Sequence, residues 1–115
     1  MALYRASARE RLARDRQVLE ERRALLLAMA REGAALLKQD FGADHVILFG
    51  SLGRDGPISP HSDVDLAVWG IEEGTYLRAL ARLLALRSDV SFDLVRAEEA
   101  GPTMLARIAE EGVPL

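Results

Sequence analysis

At 115 residues the chain has room for one hydrophobic core, and residues 1–115 read as a single domain. Half of the residues are hydrophobic and 29% are charged, the balance of a folded globular chain rather than a disordered or membrane-embedded one. Cysteine is absent, which excludes disulfides, thiolate metal sites and cysteine nucleophiles.

The net charge of −3 joins two unlike parts. Residues 1–38 carry nine Lys and Arg against five Asp and Glu, a balance of +4; residues 39–115 carry six against thirteen, a balance of −7. Acidic residues interrupt the basic part and stacking aromatics are scarce, which counts against a nucleic-acid partner. No apolar run approaches a bilayer span, and Arg5 breaks any early secretory segment. The expected location is the cytoplasm, without membrane attachment.

From Leu3 to about Lys38 there is no proline and one glycine, Gly33, among Ala, Leu, Arg and Glu, so this segment is predicted to be a long helix. Leu12, Leu19 and Leu26 recur every seven residues. Leu25 to Leu37 is expected to pack on a sheet, while the earlier, charge-dense part either continues that helix or projects to bind a second chain. Val46-Ile47-Leu48-Phe49 is a continuous apolar run ended by Gly50, the pattern of a strand buried on both faces. Glycine, proline and polar residues over 52–62 predict a short helical turn and then a loop.

Asp63 to Trp69 alternates as a second strand, and Gly70 stops it. Leu77, Leu80, Ala81 and Leu84 have the spacing of an amphipathic helix over Tyr76 to Arg87. Val90 to Val95 is predicted as a third strand. Gly101-Pro102 opens a last helix and Gly112 ends it.

The chemistry lies in Asp63 and Asp65. Residues i and i+2 of a strand point to one side, so both carboxylates face one point while Val64 and Leu66 enter the core. Like charges held so close repel unless a cation joins them, and a divalent metal with oxygen ligands is the natural one. Asp93, flanked by Phe92 and Leu94, would add a third carboxylate if it shares their side of the sheet. Such a cluster can hold two Mg2+ about 4 Å apart, one activating an attacking hydroxyl and one steadying departing phosphate oxygens. Alone, an Asp-x-Asp is more often a solvated strand edge.

Gly50 and Ser51 stand where a buried strand passes into a turn, a place where backbone N–H groups and a serine hydroxyl can meet a phosphate. Arg54 could reach the same phosphate or its neighbour. His61 and His45 read as solvated or structural. Trp69 is expected to pack under the helix that follows it, and Tyr76 to be a packing residue.

Phe49-Gly50-Ser51-Leu52-Gly53-Arg54, eleven further residues after Ser51, and then Asp63-Val64-Asp65-Leu66 resemble the motif of the DNA polymerase beta-like nucleotidyltransferases, particularly the minimal nucleotidyltransferases of bacteria and archaea. The resemblance spans about residues 25–115, including Asp93 and the closing Ala109-Glu110-Glu111-Gly112-Val113. It implies an α+β nucleotidyltransferase fold: a mixed sheet of three or four strands, helices packed on one side, and a long N-terminal helix. Residues 1–38 would be the helical segment and 39–115 the catalytic core.

The resemblance further implies that Gly50, Ser51 and Arg54 bind the triphosphate and that Asp63, Asp65 and Asp93 ligate Mg2+, with ATP as substrate and AMP the group transferred. Many such proteins act as antitoxins that transfer AMP to a HEPN-domain toxin, so a HEPN partner is expected, with a homodimer or hetero-oligomer built through the N-terminal helix. Two other readings stay open, a non-catalytic antitoxin acting by occlusion and a transferase acting on a small molecule such as an aminoglycoside. One departure stands out. Asp55 occupies a place where glycine often follows the arginine, with Gly56 next, as though the loop carried an inserted residue.

Overall fold

The computed structural model describes residues 2–115. Helix α1 runs from Ala2 to Phe41, three residues beyond Lys38. At 1.5 Å per residue its 40 residues span about 60 Å, which sets the 62 Å long dimension of the molecule. It ends where Gly42 takes a left-handed φ of 71° and the Ala43 N–H donates to the Leu37 carbonyl, which would otherwise be left without a partner at the helix end.

Among the described side chains, the fully buried ones of α1 lie in its second half. Leu26, Met29, Ala30, Ala34 and Leu37 form a buried stripe, whereas Leu12 is 65% and Val18 58% exposed. The heptad leucines record the helix leaving the core: Leu26 is buried, Leu19 half-buried in a crevice with Pro57 and Ile58, and Leu12 exposed. Arg22 and Arg23 mark the transition, donating to the carbonyls of Asp89 and Gly56 and so tying α1 to two loops.

Four strands follow: β1 (His45–Phe49), β2 (Val64–Trp69), β3 (Phe92–Arg96) and β4 (Val113–Pro114). Their order is β3-β2-β1-β4, with β1 antiparallel to both β2 and β4, and β2 parallel to β3. The parallel pair requires a crossover, and helix α3 (Tyr76–Leu84) supplies it. Between β1 and β2 lies the four-residue helix α2 (Gly50–Gly53), and α4 (Pro102–Glu111) precedes β4. Among the described residues no helix is long and apolar enough to cross a membrane.

Strand alternation divides the sheet into two faces. Val46, Leu48, Val64, Leu66, Val68, Phe92 and Leu94 meet the buried stripe of α1 and Ala79 and Leu83 of α3. Each large aliphatic side chain buried there contributes ~1.5–3 kcal/mol. This is the expected helical layer on one side. Helix α4 adds to it from the other side, where Ile108 packs on Phe49 and Ala67 beside Ile47, Trp69, Val95 and Met104.

Several boundaries differ from the sequence reading, β2 beginning at Val64 rather than Asp63 among them. Val90 is buried but lies ahead of β3, which begins at Phe92. Helix α3 stops at Leu84 rather than Arg87, and it presents a different stripe from the one read in the sequence: Ala79 and Leu83 are buried against the sheet, whereas Leu77, Ala81 and Leu84 are exposed. Trp69 also packs differently. Instead of lying under α3 it sits on the α4 side, 6.4 Å from His45 in an edge-on arrangement, because its position in β2 directs it there. Tyr76 does pack, and its hydroxyl donates to the Leu94 carbonyl at 2.6 Å, fixing the start of α3 to β3.

Candidate active site

The register of the sheet decides where the three aspartates go. Asp65 is the partner of Phe49 on one side and of Asp93 on the other. Partnered residues share a face, so Asp65 and Asp93 belong to the α4 side of the sheet, and Asp63, one residue ahead of β2, lies close enough for its charge to act on Asp65. They stand at the start of β2 and β3, beside the end of β1. Asp63 and Asp93 are exposed, whereas Asp65 is half-buried.

Gly50 brings the turn to the same place. Its φ is 72°, and a Cβ added there would overlap the Asp65 carboxylate. Glycine is needed twice over, for its left-handed backbone and for the space that Asp65 fills. Ser51 follows in α2, one residue from the carboxylate face.

Arg54 and Asp55 complete the turn. The Arg54 N–H donates to the Gly50 carbonyl and the Gly56 N–H to the Ser51 carbonyl. Asp55 itself takes a φ of 54°, the left-handed conformation that favours glycine. The departure from the family pattern is therefore an aspartate standing in a glycine conformation, which aspartate tolerates better than most residues.

Burial and like charges act on Asp65. Its carboxyl is pushed up from 3.8 to about 6, first by desolvation, then by Asp93 and Asp63, with Glu111 adding to the rise and Arg107 opposing it. Proximity of one group to two others of the same sign is what a shared cation would relieve. Among the described residues no three His, Asp or Glu side chains are already drawn together at metal-holding spacing. The three aspartates offer hard carboxylate oxygens, donors suited to Mg2+ rather than to a softer metal.

Two residues absent from the sequence reading of the site border it. Glu111, its side chain 17% exposed, accepts the Gly50 N–H at 3.1 Å and pairs with Arg54 and Arg107, each at 3.6 Å. The Arg107 guanidinium also lies over the Phe49 ring, 5.8 Å from its centre. Their signal was present in α4: Met104, Ile108 and Glu111 follow the i, i+4, i+7 spacing of one helix face, so an acidic residue prolongs an apolar stripe. His61, by contrast, is exposed, with its backbone N–H bonded to the Ser59 hydroxyl.

None of the curated proteins matches the sequence. Among solved structures, one described as a minimal nucleotidyltransferase is 32% identical, covering 86% of this chain and 94% of that one with a TM-score of 0.50. The fold is also similar to that in a complex of a tri-AMPylated Shewanella oneidensis HEPN toxin with its MNT antitoxin, at 19% identity and TM-score 0.59, covering 77% of this chain and 70% of that one. A toxin–antitoxin structure with AMP-PNP gives 20% identity and TM-score 0.60, covering 72% and 69%. The family described as Polymerase beta, Nucleotidyltransferase matches residues 33–115, which hold the turn, all three aspartates and α4. With most of its length matched, the chain belongs to the polymerase beta nucleotidyltransferase family.

Proposed function

We propose that this protein is an Mg2+-dependent nucleotidyltransferase that transfers AMP from ATP to a hydroxyl of a protein partner, a HEPN-domain toxin, in the cytoplasm. The observation that carries the reading is the alignment of Asp65 with Asp93 across the parallel strands, with the Gly50 turn against Asp65. The likeness to antitoxin–toxin complexes, one of them with an AMPylated toxin, supports the acceptor.

In this reaction the acceptor oxygen bonds to the α-phosphorus, the bond from that phosphorus to the bridging oxygen breaks, and pyrophosphate leaves with the electron pair. Mg2+ held by Asp63, Asp65 and Asp93 would lower the pKa of the acceptor hydroxyl and offset the charge of the leaving group. Ser51 contributes its hydroxyl and backbone to the phosphates, and Arg54 brings positive charge beside them. Asp93 is exposed on an edge strand, where an incoming hydroxyl can approach it and give up its proton.

The face is open, so the acceptor must arrive on another molecule. The unpacked part of α1, with Leu12 and Val18 exposed among charged residues, is the surface assigned to that partner or to a second copy. Incubation with Mg2+, ATP labelled at the α-phosphate and the HEPN protein should label the partner, and neither Asp63→Asn nor Asp65→Asn should do so. A toxin neutralised by wild-type protein without any label would instead establish occlusion.

A further inference from the structure

The turn that carries Gly50 and Ser51 is held from α4, and the holding group is a carboxylate. Glu111 Oε2 accepts the Gly50 N–H at 3.1 Å, and the same carboxylate pairs with Arg54 and Arg107. The backbone is fitted just as closely, since a Cβ on Gly53 would overlap the carbonyl oxygens of both Glu111 and Leu48. One side chain therefore joins the end of α4 to the start of α2 and gathers two guanidinium groups, of which that of Arg107 is close enough to act on Asp65.

We infer that Glu111 is a positioning residue of the nucleotide site: it fixes the Gly50 amide and holds Arg54 and Arg107 where the charge of a triphosphate would fall. This rests on the nucleotidyltransferase reading. The Gly50 N–H is satisfied inside the protein, so the donors that this turn offers to phosphate begin at Ser51, and Gly50 contributes the space occupied by Asp65. Without Glu111 the amide loses its partner and Arg54 and Arg107 lose the charge that orients them.

The test compares Glu111→Ala with Glu111→Gln, because glutamine keeps an acceptor for the Gly50 N–H and gives up the charge. In the wild type the Gly50 amide should be protected from hydrogen exchange. Glu111→Gln should retain that protection with a rise of a few-fold in KM for ATP, whereas Glu111→Ala should lose it and raise KM by about tenfold or more, the loss expected for a charge-assisted hydrogen bond. The change should fall on KM more than on kcat, since the three aspartates are untouched.

Glu111→Ala binding ATP as tightly as the wild type, or more tightly, would overturn the positioning role and make Glu111 a competitor of phosphate for the turn. If Glu111→Ala does not fold, Glu111→Gln decides: an unprotected Gly50 amide in that variant refutes the inference. A wild type that binds no ATP would remove the nucleotidyltransferase reading instead. In that case the amide measurement stands alone, and protection surviving in Glu111→Ala refutes the positioning role.

Discussion

Asp65 and Asp93 are direct partners across the parallel pair of β2 and β3, so two carboxylates meet on one face although a helix separates them in sequence. Burial of Asp65, and then the repulsion between the two, leave a mark on stability. Asp65 is raised to about 6 in the folded protein against an ordinary 3.8, so between these values the folded state holds more protons than the unfolded one. In metal-free buffer its contribution to stability is fully present below pH 4 and is lost as pH rises through 6. A shift of this size corresponds to at most ~3 kcal/mol, and solvent screening at a half-buried site reduces it to ~1 kcal/mol. Asp65→Asn should abolish transfer, melt higher than the wild type in EDTA at pH 8, and lose that advantage at pH 4. Equal melting temperatures at both pH values would remove the repulsion argument.

Ser51→Ala should act more gently. A neutral hydroxyl hydrogen bond is worth ~1 kcal/mol, so KM for ATP should rise about five-fold while the fold and metal dependence persist. Steady-state kinetics at saturating Mg2+ would check this. A loss as large as that of an aspartate variant would place Ser51 in the chemical step.

Asp55 offers a test of the turn itself. A left-handed aspartate costs more than glycine would, while its ion pair with Arg23 is 3.5 Å long and the Asp55 side chain is 94% exposed, so the pair contributes little. Asp55→Gly should therefore stabilise the protein by ~0.5 kcal/mol, seen as a higher urea midpoint with an unchanged slope. Destabilisation would show that the Arg23 pair matters more than the backbone.

Removal of residues 1–20 separates folding from assembly. The core stripe of α1 begins at Leu26, and the loop contacts of Arg22 and Arg23 remain in the shortened chain. The melting temperature should fall by no more than a few degrees, while partner affinity or oligomer mass is lost. Unchanged mass and affinity would assign the interface elsewhere.

Local pattern made the aspartate pair and the Gly50 turn legible, because each depends on residues a few positions apart, whereas the stripe read for α3 was the wrong one: Leu77 is 74% exposed, and Ala79 and Leu83 are the residues that enter the core. The face of Asp93 stayed open in the sequence, because alternation within one strand does not fix its register against a parallel neighbour, and the pairing of Asp93 with Asp65 settles it. Glu111 and Arg107 were harder to see: their contacts lie across the fold, with Gly50 and Glu111 61 positions apart, and helical spacing shows a face without naming what it meets. Trp69 failed for a related reason. Its strand position fixes its side of the sheet, whereas proximity in sequence to α3 suggested the other. The left-handed Asp55 was hidden because backbone conformation at a tolerant residue leaves little trace in composition.

The crossover through α3 makes the carboxylate group impossible to transplant as a short peptide. A segment from Phe49 to Leu66 grafted onto a foreign scaffold would carry the recognisable letters of the motif, yet its third acidic member would stay behind on β3. Any host would have to reproduce the parallel neighbour as well, so this portion of the chain is inherited as topology rather than as text.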